Sequence, residues 1–120
     1  MGVHPALHTE VCALFGIDYP IVQTGMGWVS SAELTAATSS AGAIGFLASA
    51  TMTFDEMKVA VHHIKDATSK PFGVNVRTDI DDIEARLDWL IAERVPVISF
   101  AQAPRPDMVA KLKDHGVVTI

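Results

Sequence analysis

Polar and glycine-rich residues follow several short apolar runs of the sequence, and their types suit the binding of a planar heterocycle. In QTGMG, Gly25 and Gly27 lack a Cβ, so the backbone there can approach a flat or phosphorylated ligand closely. Asn75 near the end of FGVNV and Gln102 after ISFA carry amides that donate and accept at once, as the edge of a pyrimidine-like ring requires. A glycine turn and turn-stabilising amides, without a ligand, are the alternative interpretation. Trp28 either closes over such a ligand or packs against the first helix, and packing is the favoured prediction.

Other catalytic chemistry finds little support in these residues. His62 and His63 are adjacent on a predicted helix, about 100° apart around its axis, so they cannot face one ligand together. Cys12 is the single cysteine, which predicts a buried core thiol rather than a nucleophile or a metal ligand. The acidic run within 81–88 is typical of a solvated helix face. The sequence therefore predicts neither a hydrolase triad nor a metal site.

The composition is that of a globular chain without a strongly basic surface. Of 120 residues, 49% are hydrophobic and 19% are charged, and the formal net charge is -5. Lysine and arginine are not gathered into the dense patch that nucleic acids or anionic membranes require. No apolar stretch approaches the roughly 20 residues of a membrane-spanning helix, and the N-terminus lacks a secretion signal. We therefore expect a cytoplasmic protein with no nucleic-acid and no membrane partner.

Short apolar runs alternate with longer amphipathic segments from residue 20 onward. The runs, predicted as strands, are 21–23, 43–48, 71–76, 95–100 and 117–120. Each of the first four is followed by helical signals, which is the pattern of successive βα units with parallel strands. Ser30 with Glu33 and Thr53 with Glu56 have the spacing of a capping box at a helix start. Three further boundary signals are Gly42 and Gly116, placed for left-handed caps, and Pro106, placed for a first helical turn.

These units predict an α/β fold, namely the N-terminal half of a (β/α)8 TIM barrel. The chain holds about four and a half βα units and stops in an apolar run, GVVTI, that is typical of a strand entering a sheet. A complete barrel takes about 250 residues, so residues 1–120 would be less than half of one. A doubly wound sheet of five strands is the alternative that the periodicity leaves open.

The ordered motifs resemble one family. LFGIDYPIVQTGMGWVSSAELTAATSSAGAIGFL, followed by KPFGVNVR, resembles the nitronate monooxygenase (2-nitropropane dioxygenase-like) family, which are FMN-dependent enzymes on a TIM barrel. Flavin-dependent enoyl-acyl carrier protein reductases share the pattern. The resemblance runs from about Thr9 to Ile120. It implies that residues 1–120 form a partial flavin-binding TIM-barrel domain, truncated in strand five.

The resemblance also implies a cofactor, a reaction and a set of contacts. Thr24, Gly25 and Met26 would lie against the flavin ring of FMN, and Asn75 would hydrogen-bond its pyrimidine portion. Gln102 would lie near the flavin as well. The implied reaction is the oxidation of alkyl nitronates by dioxygen, with the cofactor carrying the electron chemistry. The expected partners are FMN, a small-molecule substrate and dioxygen, with a homo-oligomer possible.

Two departures from the family pattern qualify that expectation. The family's catalytic histidine belongs to a later Gly-Gly-His segment that would lie beyond Ile120, so no catalytic residue is assigned. The phosphate-binding loops of the barrel would also lie beyond Ile120. The isolated chain is therefore expected to be inactive and to bind FMN weakly or not at all. Arg77 with Thr78 and Asp79 stands where relatives carry apolar residues, which suits an anionic substrate group or a pairing with the acidic helix that follows. A flavin-dependent enoyl reductase fragment and a non-catalytic truncated paralogue are the alternative readings.

Overall fold

Five parallel strands form one sheet in the computed structural model, which describes residues 2–120. Neighbours in the sheet are neighbours in the sequence, because the strand order is β1-β2-β3-β4-β5. This order distinguishes the two predicted folds, since a doubly wound sheet reverses its strand order at a switch point and a barrel does not. The predicted first part of a TIM barrel is confirmed. The strands are β1 Val22–Gln23, β2 Ile44–Ala48, β3 Gly73–Val76, β4 Val97–Phe100 and β5 Val118–Thr119.

A helix connects each strand to the next, and one further helix precedes the sheet. The helices are α1 Glu10–Phe15, α2 Ala32–Ser40, α3 Phe54–Ala67, α4 Ile83–Ala92 and α5 Pro106–Asp114, with single 3-10 turns at Pro5–Leu7 and Ser49–Thr51. Among residues 2–120, none of these helices has the length and apolarity that crossing a bilayer requires.

Most of the predicted helix boundaries are confirmed. Thr53 and Glu56 form the reciprocal capping box at the start of α3, and α5 begins with a proline as predicted. Gly42 and Gly116 have φ angles of 102° and 74°, the left-handed conformation that favours glycine. The prediction for α2 was wrong by one residue. Its cap is Ser31, whose hydroxyl accepts from the Leu34 amide at 3.3 Å, and not Ser30.

The hydrophobic core consists of two clusters on opposite faces of the sheet. In β2, Leu47 belongs to the cluster beneath the connecting helices, while Ile44 and Phe46 belong to the other, as strand alternation requires. The second cluster includes Cys12 and Phe15 of α1, so α1 covers the inner face near the amino ends of the strands. Cys12 is 1% exposed, which confirms the predicted buried thiol. The inner face at the carboxyl ends of the strands is left for a site.

The acidic side of α4 is paired with the cations of α5. Glu84 forms an ion pair with Arg105, and Asp88 forms one with Lys111. The hydrogen bond that Lys111 donates to Asp88 raises the pKa of Lys111 above its ordinary value. The acidic run predicted as a solvated face therefore also ties two neighbouring helices together, with each exposed pair stabilising the contact by less than about 1 kcal/mol.

The two ends of the sheet lead to a prediction for residues 1–120 expressed alone. Within residues 2–120, β1 pairs only with β2 and β5 only with β4. The apolar residues Ile21, Val22 and Ile120 beside these edges are 58%, 42% and 54% exposed. Unpaired strand edges with apolar neighbours promote pairing between molecules. We expect these residues alone to aggregate or to pair with a second copy in size-exclusion chromatography with light scattering. A monodisperse monomer that unfolds cooperatively would contradict this expectation.

Candidate functional site

The strand register places three residues side by side at the carboxyl edge of the inner face. Ala48 of β2 is aligned with Asn75 of β3, and Asn75 is aligned with Ser99 of β4. The amide nitrogen of Asn75 donates to the Ser99 hydroxyl at 2.9 Å. Among residues 2–120, no donor reaches the amide oxygen of Asn75, which is half-buried and accessible from the open side of the sheet. The hydrogen bond to Ser99 thus fixes the orientation of an amide that still has an acceptor to offer.

The loop after β1 lies directly against this amide. A Cβ on Gly25 would come within 2.6 Å of the Asn75 Cβ and 3.3 Å of the amide oxygen, closer than real Cβ atoms approach other carbons. The structure therefore brings together two residues that the sequence analysis selected separately, and it gives the reason for glycine at position 25. Gly27, two residues later, is less restricted, because a Cβ added there would lie 3.2 Å from its nearest neighbour, a methyl group of Thr51.

A buried serine fixes the shape of this loop. The Ser30 side chain, 1% exposed, donates to the Thr24 carbonyl at 2.9 Å and accepts from the Met26 amide at 2.8 Å. The Gln23 side chain donates to the same hydroxyl at 2.9 Å. This role was not predicted because the spacing of Ser30 and Glu33 fits a capping box, which assigned Ser30 to the start of α2. The available signal was that only one of two neighbouring serines can cap α2, which leaves the other for the loop.

Other residues of the loop face solvent. Thr24 is exposed, and Met26 is 40% exposed. Trp28 is 90% exposed and has a φ of 60°, so the prediction that it packs against a helix was wrong. A left-handed backbone is unusual for a bulky side chain, and here it turns the indole away from the core. Trp28 instead borders a cleft of about 370 Å³ whose other lining residues include Ser31 and Met52.

Gln102 and Arg77 belong to a different part of the rim. Arg77 donates to both carboxylate oxygens of Asp79, at 2.8 and 2.6 Å. The Arg77 hydrogen bond holds the pKa of Asp79 below its ordinary value, with a smaller contribution from a Gln102 hydrogen bond, and Asp79 raises the pKa of Arg77. Gln102 is exposed and lines a cleft of about 480 Å³ with Phe100 and Ile120, to which no residue of the loop after β1 contributes. The guanidinium is thus engaged within its own loop rather than with α4.

The histidines of α3 lie away from this edge. His62 and His63 are exposed and lie 3.6 Å from Glu93 and 3.9 Å from Glu33. Among residues 2–120, no group of three histidine, cysteine or acidic side chains is arranged to hold a metal ion. The chemistry of the described residues is therefore that of binding and orientation, through amides, hydroxyls and a closely approaching backbone.

The arrangement fits a flat heterocycle with a polar edge. Asn75 offers a fixed amide, and the absence of a Cβ at Gly25 keeps the backbone low beside it. The exposed thioether of Met26 adds a polarisable apolar surface on the same loop. A concave surface with one convergent polar group of this kind suits a small planar ligand.

The order of the five parallel strands defines the chain as part of an α/β barrel. It belongs to the nitronate monooxygenase family, whose family model matches residues 8–87. Enzymes of this family are generally flavin-dependent.

Curated relatives differ in the activity that their names describe. Two (3aS,4S,5R,7aS)-5-hydroxy-7a-methyl-1-oxo-octahydro-1H-indene-4-carboxyl-CoA dehydrogenases, from Mycobacterium tuberculosis and Rhodococcus jostii, are 51% and 52% identical over 114 residues. The match covers 95% of this chain and 32% of each relative. A nitronate monooxygenase from Paraburkholderia phytofirmans is 40% identical over 80 residues, which is 64% of this chain and 22% of the relative. The chain spans about a third of the length of the first two relatives.

Solved structures share the fold. FabK from Thermotoga maritima superposes with a TM-score of 0.88 at 32% identity, covering 93% of this chain and 36% of FabK. The nitroalkane oxidase from Streptomyces ansochromogenes superposes with a TM-score of 0.79 at 29% identity, covering 92% of this chain and 41% of the oxidase. The five-stranded sheet therefore matches the N-terminal part of these TIM barrels.

Proposed function

We propose that residues 1–120 form the N-terminal part of a flavin-binding TIM-barrel domain with FMN as its cofactor. The observation that carries this proposal is the contact between the Gly25 backbone and the Asn75 amide, which builds a flat edge with a hydrogen-bonding group in the position that parallel α/β folds use for ligands. Thr24, Gly25 and Met26 would lie along the ring, and Asn75 would bond its pyrimidine edge. Gln102 stays a predicted contact at the rim.

Each of these groups has a separate task in holding the ring. The Asn75 amide oxygen would accept a hydrogen bond from a ring N–H, while the amide nitrogen remains anchored on Ser99. Gly25 lets the loop lie flat, and Ser30 holds that loop by binding the Thr24 carbonyl and the Met26 amide. These three hydrogen bonds are already formed within the fold before a ligand binds. Binding therefore costs little conformational entropy in the protein. No residue of 1–120 is assigned as a catalytic acid or base.

We propose a CoA thioester as the physiological substrate class. Identities of 51% and 52% with two carboxyl-CoA dehydrogenases extend over 95% of the chain, whereas the nitronate monooxygenase match is lower and covers 64%. A dehydrogenation removes a hydride and a proton from the substrate and requires a two-electron acceptor, which is the chemistry that FMN supplies when bound. The second candidate is oxidation of alkyl nitronates with dioxygen as co-substrate, which the family membership favours.

One experiment on the full reading frame that contains this chain separates the candidates. The purified protein is heated to release its flavin, which chromatography identifies, and the holoprotein is then mixed anaerobically with hydroxyacyl-CoA thioesters. We expect to identify FMN, and we expect the thioester to bleach the visible absorbance of the oxidised flavin. Nitronate-dependent oxygen uptake without thioester reactivity would favour the second candidate, and NADH-dependent consumption of an enoyl thioester would favour the reductase reading. A flavin-free protein with none of these activities would overturn the proposal.

A further inference from the structure

Arg86 of α4 is a buried charge on the outer side of the sheet, outside the set of residues proposed to touch the cofactor. Arg86 is 6% exposed, and it is the one charged residue that is buried among residues 2–120. The guanidinium makes three hydrogen bonds: Nε donates to Asp82 at 2.9 Å, Nη2 to the Met52 carbonyl at 3.0 Å and Nη1 to the Ser49 carbonyl at 3.4 Å. One side chain thus joins α4 to both ends of the segment 49–52.

Burying this guanidinium is costly, so its hydrogen bonds indicate what it is for. A buried cation loses its hydration, and only complete pairing offsets that loss. The segment 49–52 leaves β2, makes one 3-10 turn in which the Met52 amide donates to the Ser49 carbonyl at 3.0 Å, and enters α3. Arg86 adds a second donor to the Ser49 carbonyl and supplies a donor to the Met52 carbonyl. The planar guanidinium of arginine can donate to the Ser49 and Met52 carbonyls at once, which a lysine or an apolar side chain cannot do. Arg86 therefore determines the path of segment 49–52.

The same segment supports the candidate site from below. Ser49 is 1% exposed, and its hydroxyl donates to the backbone carbonyl of Asn75 at 2.6 Å. The Asn75 side chain is in turn anchored on Ser99 at 2.9 Å. A continuous series of hydrogen bonds thus runs from Arg86 through Ser49 to the backbone that carries the Asn75 amide.

We infer that Arg86 is a positioning residue for the flavin site: it holds segment 49–52 so that Ser49 fixes Asn75 against the loop after β1. The inference rests on the proposed flavin site. It assigns Arg86 a role through Asn75, without contact to cofactor or substrate. A purely structural role is the competing explanation, since the guanidinium also lies 5.8 Å from the centre of the Phe54 ring and packs inside the helix layer.

The test uses the full reading frame and measures the FMN dissociation constant of apoprotein by flavin fluorescence quenching. We expect Arg86→Met to raise this constant about tenfold, and Ser49→Ala to raise it several-fold, since each variant loses hydrogen bonds that hold the backbone of Asn75 in place. The matched control is Leu90→Ala, on the same helix and 0% exposed, which lowers the melting temperature without removing a hydrogen bond to segment 49–52. We expect its FMN constant to stay within about twofold of the wild type.

Asn75→Ala, alone and combined with Arg86→Met, completes the experiment. If Arg86 acts through Asn75, the double variant binds FMN within about twofold of Asn75→Ala, whereas independent effects multiply. An unchanged constant in Ser49→Ala and Arg86→Met, or a multiplying effect in the double variant, would overturn the inference while leaving the flavin site in place. An unchanged constant in Asn75→Ala would overturn both. Should Arg86→Met fail to fold, Ser49→Ala still decides the matter, because it removes one hydroxyl.

Discussion

Replacing Gly25 with alanine is expected to weaken FMN binding by about 100-fold or more in the full reading frame. The added methyl would lie 2.6 Å from the Asn75 Cβ and 3.3 Å from its amide oxygen, so either the loop or the amide must move. Both are anchored, the loop by Ser30 and the amide by Ser99, and neither anchor can shift without breaking a hydrogen bond. Displacing the hydrogen-bonding edge and the flat loop together corresponds to about 3 kcal/mol of binding free energy.

Gly27→Ala is the matched control for this prediction. It adds the same methyl to the same loop, but its nearest neighbour is a Thr51 methyl at 3.2 Å, which can yield by a few tenths of an ångström. We expect less than about a threefold change in the FMN dissociation constant. Fluorescence quenching titrations of the two apoproteins, with circular dichroism to show that both are folded, provide the comparison. Gly25→Ala binding FMN as tightly as Gly27→Ala would show that the approach to Asn75 does not matter.

The fold was predictable from the sequence because its signals are local. A parallel strand buried on both faces is apolar throughout, and β2 is buried at every position, so its residues needed no partner to be recognised. The capping box of Thr53 is equally local, since donor and acceptor lie within one turn. Strand order was not visible in any single segment. It became available only because the number and spacing of the βα units, together with the family resemblance, favoured a barrel over a doubly wound sheet.

The site was predictable in its members but not in its contacts. Gly25 and Asn75 were selected by residue type, but their approach joins positions 50 residues apart, and nothing in either segment encodes it. Trp28 was misplaced because large aromatic residues are usually buried, and a positive φ at a tryptophan is too rare to anticipate. Arg86 gave no signal at all, since an arginine on an amphipathic helix is ordinarily a solvated residue. What decided its burial was the segment after β2, 34 to 37 positions away in the sequence.

The largest expected effect on stability comes from a substitution at Gly45 of β2, where the strand packs against α2. A Cβ there would lie 2.5 Å from the carbonyl oxygen and 2.8 Å from the Cα of Thr35, which are backbone atoms of α2 and cannot rotate away. The Gly45 amide also donates to the Ser39 hydroxyl at 3.1 Å, so the strand cannot retreat without losing this bond. We expect Gly45→Ala to lower the free energy of unfolding by about 3 kcal/mol, the upper part of the range for overpacked cores, measured by urea denaturation of the full reading frame.

Gly116→Ala is the comparison variant for Gly45→Ala, because it adds the same methyl group where there is no close packing. Gly116 has a φ of 74° and no atom within 4 Å of the added methyl, so its substitution costs only the left-handed backbone strain of about 1 kcal/mol. Gly45 has no positive φ, and its substitution costs only the contact with α2. The loss in Gly45→Ala therefore measures how closely α2 is held against β2, and the loss in Gly116→Ala shows what backbone strain alone costs. If both variants lost about 1 kcal/mol of unfolding free energy, α2 would be free to move outward from the sheet. The loop between β1 and α2, which Ser30 and Ser31 fix in place, would then not be rigid enough to hold a ring beside Asn75.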